Sequence, residues 1–202
     1  MSVGFSSRNV DDLHPAVARG CRELIRRMNV AGYAHVGISS TYRDNAHQNW
    51  LFAQGRSREG AIVTNAQGGQ SWHNWRLAFD VFQNIRGQEW NNPDFFSTAG
   101  WIWTEMGGEW GGSWRSFPDR PHMQFTGGLS LTDMRNGIRL PEVITMPWEY
   151  AEVKEPPLPP WATNSTAWAV SNGITDGTRP NDPATRKESW TMMHRMYCLM
   201  ME

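Results

Sequence analysis

The stretch Glu155–Pro160 reads EPPLPP, four prolines in six residues. Each proline locks φ and removes a backbone donor, so neither a helix interior nor an inner strand can run through it. Such a run is a stiff, extended linker. It divides the 202 residues into a segment 1–150, a linker 151–161 and a tail 162–202. The first segment is long enough for one well-buried domain, whereas the tail is below the size that usually folds unaided.

Within the first segment, Leu13, Val17, Cys21, Leu24, Ile25 and Met28 recur at helical spacing behind Asp11 and Asp12, with Pro15 in the first turn. This predicts an amphipathic helix with an acidic N-terminal end. Residues 34–42 alternate, with Ala34, Val36 and Ile38 on one face of an expected strand. A short helix carrying Ala46, Trp50 and Ala53 follows, and Gly55 stops it. The run NAQGGQS, Asn65–Ser71, is loop by composition. Leu77, Phe79 and Val81 then alternate with Ala78 and Asp80, again as a strand. Pro93 and Asp94 open a helix that turns Phe95, Phe96, Ala99 and Ile102 to the core, before a loop GGEWGGSW and a strand around His122–Phe125. Helices and strands are mixed without βαβ alternation, so the fold class is α+β.

Net charge is −1, with 19 Lys+Arg against 20 Asp+Glu, which leaves no basic footprint for nucleic acid and no polybasic membrane surface. No stretch is long and apolar enough to span a bilayer. The start MSVGFSSRNVDDLHP lacks a charged head and an apolar run, so no secretory signal is expected and the chain is read as cytoplasmic when made. Cys21 and Cys198 form no CxxC pair. The 12 tryptophans fit core and rim positions more readily than a dedicated stacking platform.

Chemistry must come from groups of residues. His73 precedes Asp80 by seven positions, and Asp119 precedes His122 by three. Two imidazoles and a carboxylate make a catalytic zinc set with one position left for water, and another carboxylate nearby would handle the proton. There is no HExxH helix. Spacing alone admits this site without requiring it: Asp80 equally fits an arginine partner, Asp119 a turn cap, and Arg43 a solvated position after a strand.

The surrounding motifs are more specific. Ser71, His73, Ala78 and Asp80 form SxHxxxxAxD, and Asp119–His122 reads DRPH. Together with Tyr42–Arg43 and the runs QNWLFAQGR, VTNAQGGQSWHNWRLAFDV and EWGGSWRSFPDRPHMQF, the chain resembles the VanY-type D-Ala-D-Ala carboxypeptidase family of zinc peptidases. It is most similar to the phage endolysin branch, the L-alanyl-D-glutamate peptidases. The resemblance implies a small, mostly antiparallel sheet flanked by helices, of the Hedgehog/DD-peptidase type. It implies zinc held by His73, Asp80 and His122, Asp119 as general base, Arg43 stabilising the oxyanion and Ser71 holding substrate. The implied function is hydrolysis of the L-Ala–D-Glu bond of peptidoglycan stem peptides, with action on the wall after release from the cell. A D-Ala-D-Ala carboxypeptidase and a non-catalytic wall-binding module are the alternatives.

Two positions depart from the family pattern. Arg76 stands where a glycine is common, which is costly if the backbone there needs φ > 0, and its side chain could crowd the cleft. Ser113 replaces the Asp that usually follows WGG. Glu109 is a further carboxylate, read either as orienting a ligand imidazole or, more readily, as a solvated loop residue. In the tail, WAVSNGITDGTRPNDPATRKESWTMMHR resembles part of an S-layer homology repeat, and the last expected helix of the tail carries a stripe of Trp190, Met193, Tyr197 and Met200. That resemblance implies contact with a secondary cell-wall polymer. Self-association through the stripe and a cap on the catalytic domain are the other readings.

Overall fold

The first helix starts at Pro15, two residues after Leu13, the first residue of its expected stripe, and is capped differently. In the computed structural model, which describes residues 3–150, α1 spans Pro15–Val30. Pro15 takes the first helical position, where its missing N–H costs nothing, and the His14 ring accepts from the Ala16 N–H. Asp11 and Asp12 lie in a separate 3-10 turn, Val10–Asp12, so α1 itself has no acidic first turn. Val17, Cys21, Leu24 and Met28 form its buried stripe.

Strand β1 is Val36–Ser40, which leaves Ala34 outside it and exposed. Helix α2, Asn45–Ala53, is capped by the Asp44 carboxylate accepting from His47 N–H at 2.7 Å, and Gly55 at φ 73° turns the chain away from it. Strand β2 covers Ala78–Gln83, and helix α3 covers Pro93–Glu105, capped by Asn92. All four residues expected to face the core from α3 are buried: Phe95, Phe96, Ala99 and Ile102. The glycine-rich run read as loop contains a two-residue strand, β3, Glu109–Trp110. β4, His122–Gln124, and two short helices, α4 at Leu131–Arg135 and α5 at Pro147–Tyr150, complete the described residues.

The four strands form one sheet in the order β1-β2-β4-β3, every pair antiparallel, as the α+β reading expects. β2 and β4 are the inner strands, and their register sets Phe79 opposite Met123 and Asp80 opposite His122. Because side chains alternate along a strand, odd and even positions serve different faces. Leu77, Phe79, Val81, Met123 and Phe125 enter the apolar core with α1 and α3, where Phe79 meets Trp103 edge-on at 5.0 Å. Asp80, His122 and Gln124 are also buried, on the opposite face. Tryptophan serves core and rim as expected: Trp103 is fully buried, Trp72, Trp75, Trp101, Trp110 and Trp148 pack against the core, and Trp90 is exposed. Among the described residues no helix is long and apolar enough to cross a membrane. The proline linker and the S-layer-like tail lie outside the described residues.

Candidate metal centre

Asp80 and His122 reach the site because they face one another across inner strands. His73 arrives from a 3-10 turn, Trp72–Trp75, headed by half-buried Ser71. Asn74 fastens that turn: its Oδ1 accepts from the N–H groups of Gly69 and Ser71, and its Nδ2 donates to Arg43 O. The turn closes at Arg76, whose φ of 64° and ψ of 22° place it in the left-handed region that favours glycine. Its side chain does not crowd the cleft. It lies 4.4 Å over the Tyr42 ring and donates to Asp12 O at 2.8 Å, so it braces the N-terminal segment.

Three donor atoms converge. His73 Nε2 is 3.1 Å from Asp80 Oδ1, His122 Nδ1 is 3.2 Å from the same oxygen, and the two nitrogens are 3.2 Å apart. Donors at zinc distances of about 2.0–2.1 Å span tetrahedron edges of roughly 3.3 Å. The triangle is therefore the right size for such an ion, and His73, Asp80 and His122 form the one cation-sized cluster of this kind among the described residues.

The tautomers agree with that fit. His73 Nδ1 faces Thr41 O at 2.6 Å, and a carbonyl only accepts, so Nδ1 carries the hydrogen and the Nε2 lone pair points inward. His122 Nε2 faces Gln124 Oε1 at 3.0 Å, which turns the Nδ1 lone pair inward by the same logic. A carboxylate oxygen and two imidazole lone pairs aimed at one point suit a divalent cation.

Charge is arranged accordingly. Burial pulls the His73 pKa down to about 4, overriding the opposite pull of Asp80, so this ring is neutral near pH 7. For Asp80, burial acts to raise the pKa, but His73, Arg43 and the hydrogen bond from His122 together hold it well below the usual carboxylate range. His122 also feels burial acting downward, but its hydrogen bond and attraction to Asp80, with help from Asp119, raise it. Asp119 is raised by burial and by the Asp80 charge, against His122 and Arg43. A carboxyl displaced upward is better matched to taking and returning a proton.

Asp119 is placed by the tryptophan-glycine loop. Its N–H donates to Gly111 O at 3.0 Å, and a Cβ on Gly111 would stand 2.6 Å from Asp119 O and 3.0 Å from His122 Cβ. Only glycine lets the loop approach so closely. Ser113, where an Asp was expected, closes the same loop by donating to Trp110 O. Asp119 also lines a shallow cleft of about 440 Å³ with Trp90, Phe96, Pro118, Arg120 and Pro121.

Arg43 is held by the site rather than standing free. Its Nη2 donates to Asp80 Oδ2 and its Nε to Ser40 Oγ at 2.8 Å. Glu109 is exposed yet bonded, accepting from Gln124 Nε2 at 2.9 Å and Thr126 Oγ1 at 2.8 Å. Glu109 is therefore solvent-exposed, as expected, but lies on a strand rather than a loop and is tied to Gln124. The sequence carries no signal that marks Gln124, Thr41 or Asn74. Gln124 and Asn74 carry no charge, and Thr41 acts through a carbonyl that every residue possesses.

The chain is similar to several known proteins. Residues 64–125, which contain all three donors, match the D-alanyl-D-alanine carboxypeptidase family of peptidases. The peptidoglycan L-alanyl-D-glutamate endopeptidase CwlK of Bacillus subtilis is 33% identical over 124 residues, covering 56% of this chain and 73% of that protein. Among solved structures, the L-Ala D-Glu endopeptidase ChiX of Serratia marcescens aligns over 64% of this chain and 92% of its own, with 23% identity and a TM-score of 0.38. On the CwlK identity, sustained over nearly three quarters of that enzyme, the chain belongs to the D-alanyl-D-alanine carboxypeptidase family of metallopeptidases.

Proposed function

We propose that this protein is a zinc-dependent endopeptidase that hydrolyses the L-Ala–D-Glu bond of peptidoglycan stem peptides. The biological setting of the proposal is a phage or prophage endolysin that reaches the wall after release from the cytoplasm, with the tail as an added wall contact. The observation that carries the reading is the convergence of His73 Nε2, Asp80 Oδ1 and His122 Nδ1 within 3.1–3.2 Å of one another, each donor lone pair turned inward. The relationship to CwlK, itself an L-alanyl-D-glutamate endopeptidase, supports the choice of bond.

A zinc ion bound there supplies Lewis acidity towards the scissile carbonyl and eases deprotonation of a water molecule. The chain's own residues do the rest. Asp119, with its raised pKa, takes the proton from the attacking water and returns it to the departing amine of D-Glu. Arg43 commits Nε and Nη2 to Ser40 and Asp80, which keeps its remaining N–H groups for the oxygen that becomes negative. Ser71, at the mouth of the His73 turn, holds the peptide.

Digestion of purified sacculi by the zinc-loaded protein, followed by identification of the newly exposed termini, tests this reading. New N-terminal D-Glu is the expected product. Released D-Ala would instead make the protein a D-Ala-D-Ala carboxypeptidase, and wall binding without any new terminus would make it a non-catalytic binding module.

A further inference from the structure

The two ligand histidines are oriented by different means. His73 is fixed by the backbone carbonyl of Thr41, which no substitution removes. His122 is fixed by a side chain, Gln124, whose amide is in turn gripped by a second side chain, Glu109. We infer that Gln124 and Glu109 are positioning residues for the metal centre, a two-step relay that sets the tautomer of His122 and through it the affinity for the ion. This inference rests on the reading of His73, Asp80 and His122 as a metal site.

The geometry leaves the amide no freedom. Glu109 Oε2 accepts only, so the Gln124 atom facing it at 2.9 Å is the NH₂ group, and the amide oxygen must then face His122. That oxygen accepts from His122 Nε2 at 3.0 Å, which leaves the Nδ1 lone pair for the ion. Thr126 Oγ1, donating to Glu109 Oε1 at 2.8 Å, holds the carboxylate from its other side. The scaffold is the sheet itself, since Glu109 and Gln124 are cross-strand partners in the β3–β4 register. Without Glu109 the amide can flip and present NH₂ to His122, which favours the wrong tautomer. The two-residue strand β3 thereby gains a purpose: it carries the end of the relay.

Partners that orient ligand imidazoles change metal affinity by about 10–100-fold when removed. Zinc(II) titration of the full chain in competition with a chelator measures this directly. Gln124→Met, close in volume, should weaken zinc(II) binding by about 10–100-fold. Glu109→Ala should weaken it by a smaller factor, and Glu109→Gln, which keeps an acceptor oxygen, should recover most of the loss. Glu109→Ala made in the Gln124→Met background should add nothing, because Glu109 acts only through Gln124. The melting temperature of each metal-free variant separates folding from positioning, and exposed Glu109 tolerates substitution in either case.

Unchanged zinc(II) affinity in both single variants overturns the relay, as does an undiminished Glu109→Ala effect when Gln124 is already gone. Failure of the wild-type chain to bind zinc(II) at all would instead overturn the metal-site reading on which the relay rests.

Discussion

The two faces of strands β2 and β4 differ in everything except their backbone. On one, Phe79 and Met123 sit opposite each other inside an apolar core closed by α1 and α3. On the other, the next pair along, Asp80 and His122, are also buried but polar, and His122 Nε2 is held by Gln124 while Nδ1 and Asp80 Oδ1 face the same point. A period of two in the sequence thus builds the core and the chemistry from one ladder. The apolar face depends on volume, which neighbours can partly refill. The polar face depends on direction, which nothing else restores. Slipping the register by one residue would exchange the two faces, so the packing of Phe79 and Met123 also holds Asp80 opposite His122.

The comparison breaks most dramatically at Phe79. Phe79→Ala should cost about 3–5 kcal/mol and lower the melting temperature sharply, with zinc binding lost alongside the fold. On the other face, His122→Ala should abolish zinc(II) binding and sacculus cleavage. Its metal-free melting temperature should fall much less than that of Phe79→Ala, since only a few hydrogen bonds go. If the two variants lose stability equally, the division of labour between the faces is wrong.

Acidity provides a finer test. His73 binds its proton only near pH 4, so it presents a free lone pair throughout the neutral range. His122, raised above the ordinary histidine value, is the ring that must release a proton to solvent before it can hold the metal. Zinc affinity should therefore rise with pH through about 6.5 and above, releasing roughly one proton per ion, and then level off. A slope of two protons per ion in that range, read by titration calorimetry in buffers of different ionisation enthalpy, would show that His73 also titrates there.

The smallest effect is expected at Arg76. Replacing it with glycine relieves a left-handed backbone worth about 1–2 kcal/mol, but loses the stacking on Tyr42, worth about 0.5–1 kcal/mol, and the hydrogen bond to Asp12 O. Arg76→Gly should shift stability by no more than about 1 kcal/mol. Arg76→Ala keeps the strain and loses the contacts, so it should be the less stable of the two by thermal melting.

The same two faces show what could be read in the sequence. The alternation of Leu77, Phe79 and Val81 with Ala78 and Asp80 gives β2 directly, and the stripe from Val17 to Met28 gives α1, because periodic burial leaves a periodic pattern. His73, Asp80 and His122, which the structure brings together, were marked in the sequence by the family resemblance carried on SxHxxxxAxD and DRPH, since their spacing alone left the site open. β3 was not, since two residues are too few for any period. Nor were the second partners. The Thr41 carbonyl has no residue signature, and Gln124 becomes meaningful only once Glu109 is seen across the sheet from it. Arg43 was marked as a functional cation, but its bond to Asp80 depends on a chain reversal that brings residues 37 positions apart together.

His73, Asp80 and His122 are proposed to hold one divalent ion. An anomalous-difference map at the zinc absorption edge, from crystals of the full chain grown with zinc(II), tests it most directly. A single strong peak is expected at bonding distance from His73 Nε2, Asp80 Oδ1 and His122 Nδ1 together. Density elsewhere, or a peak touching only one of the three, would contradict it.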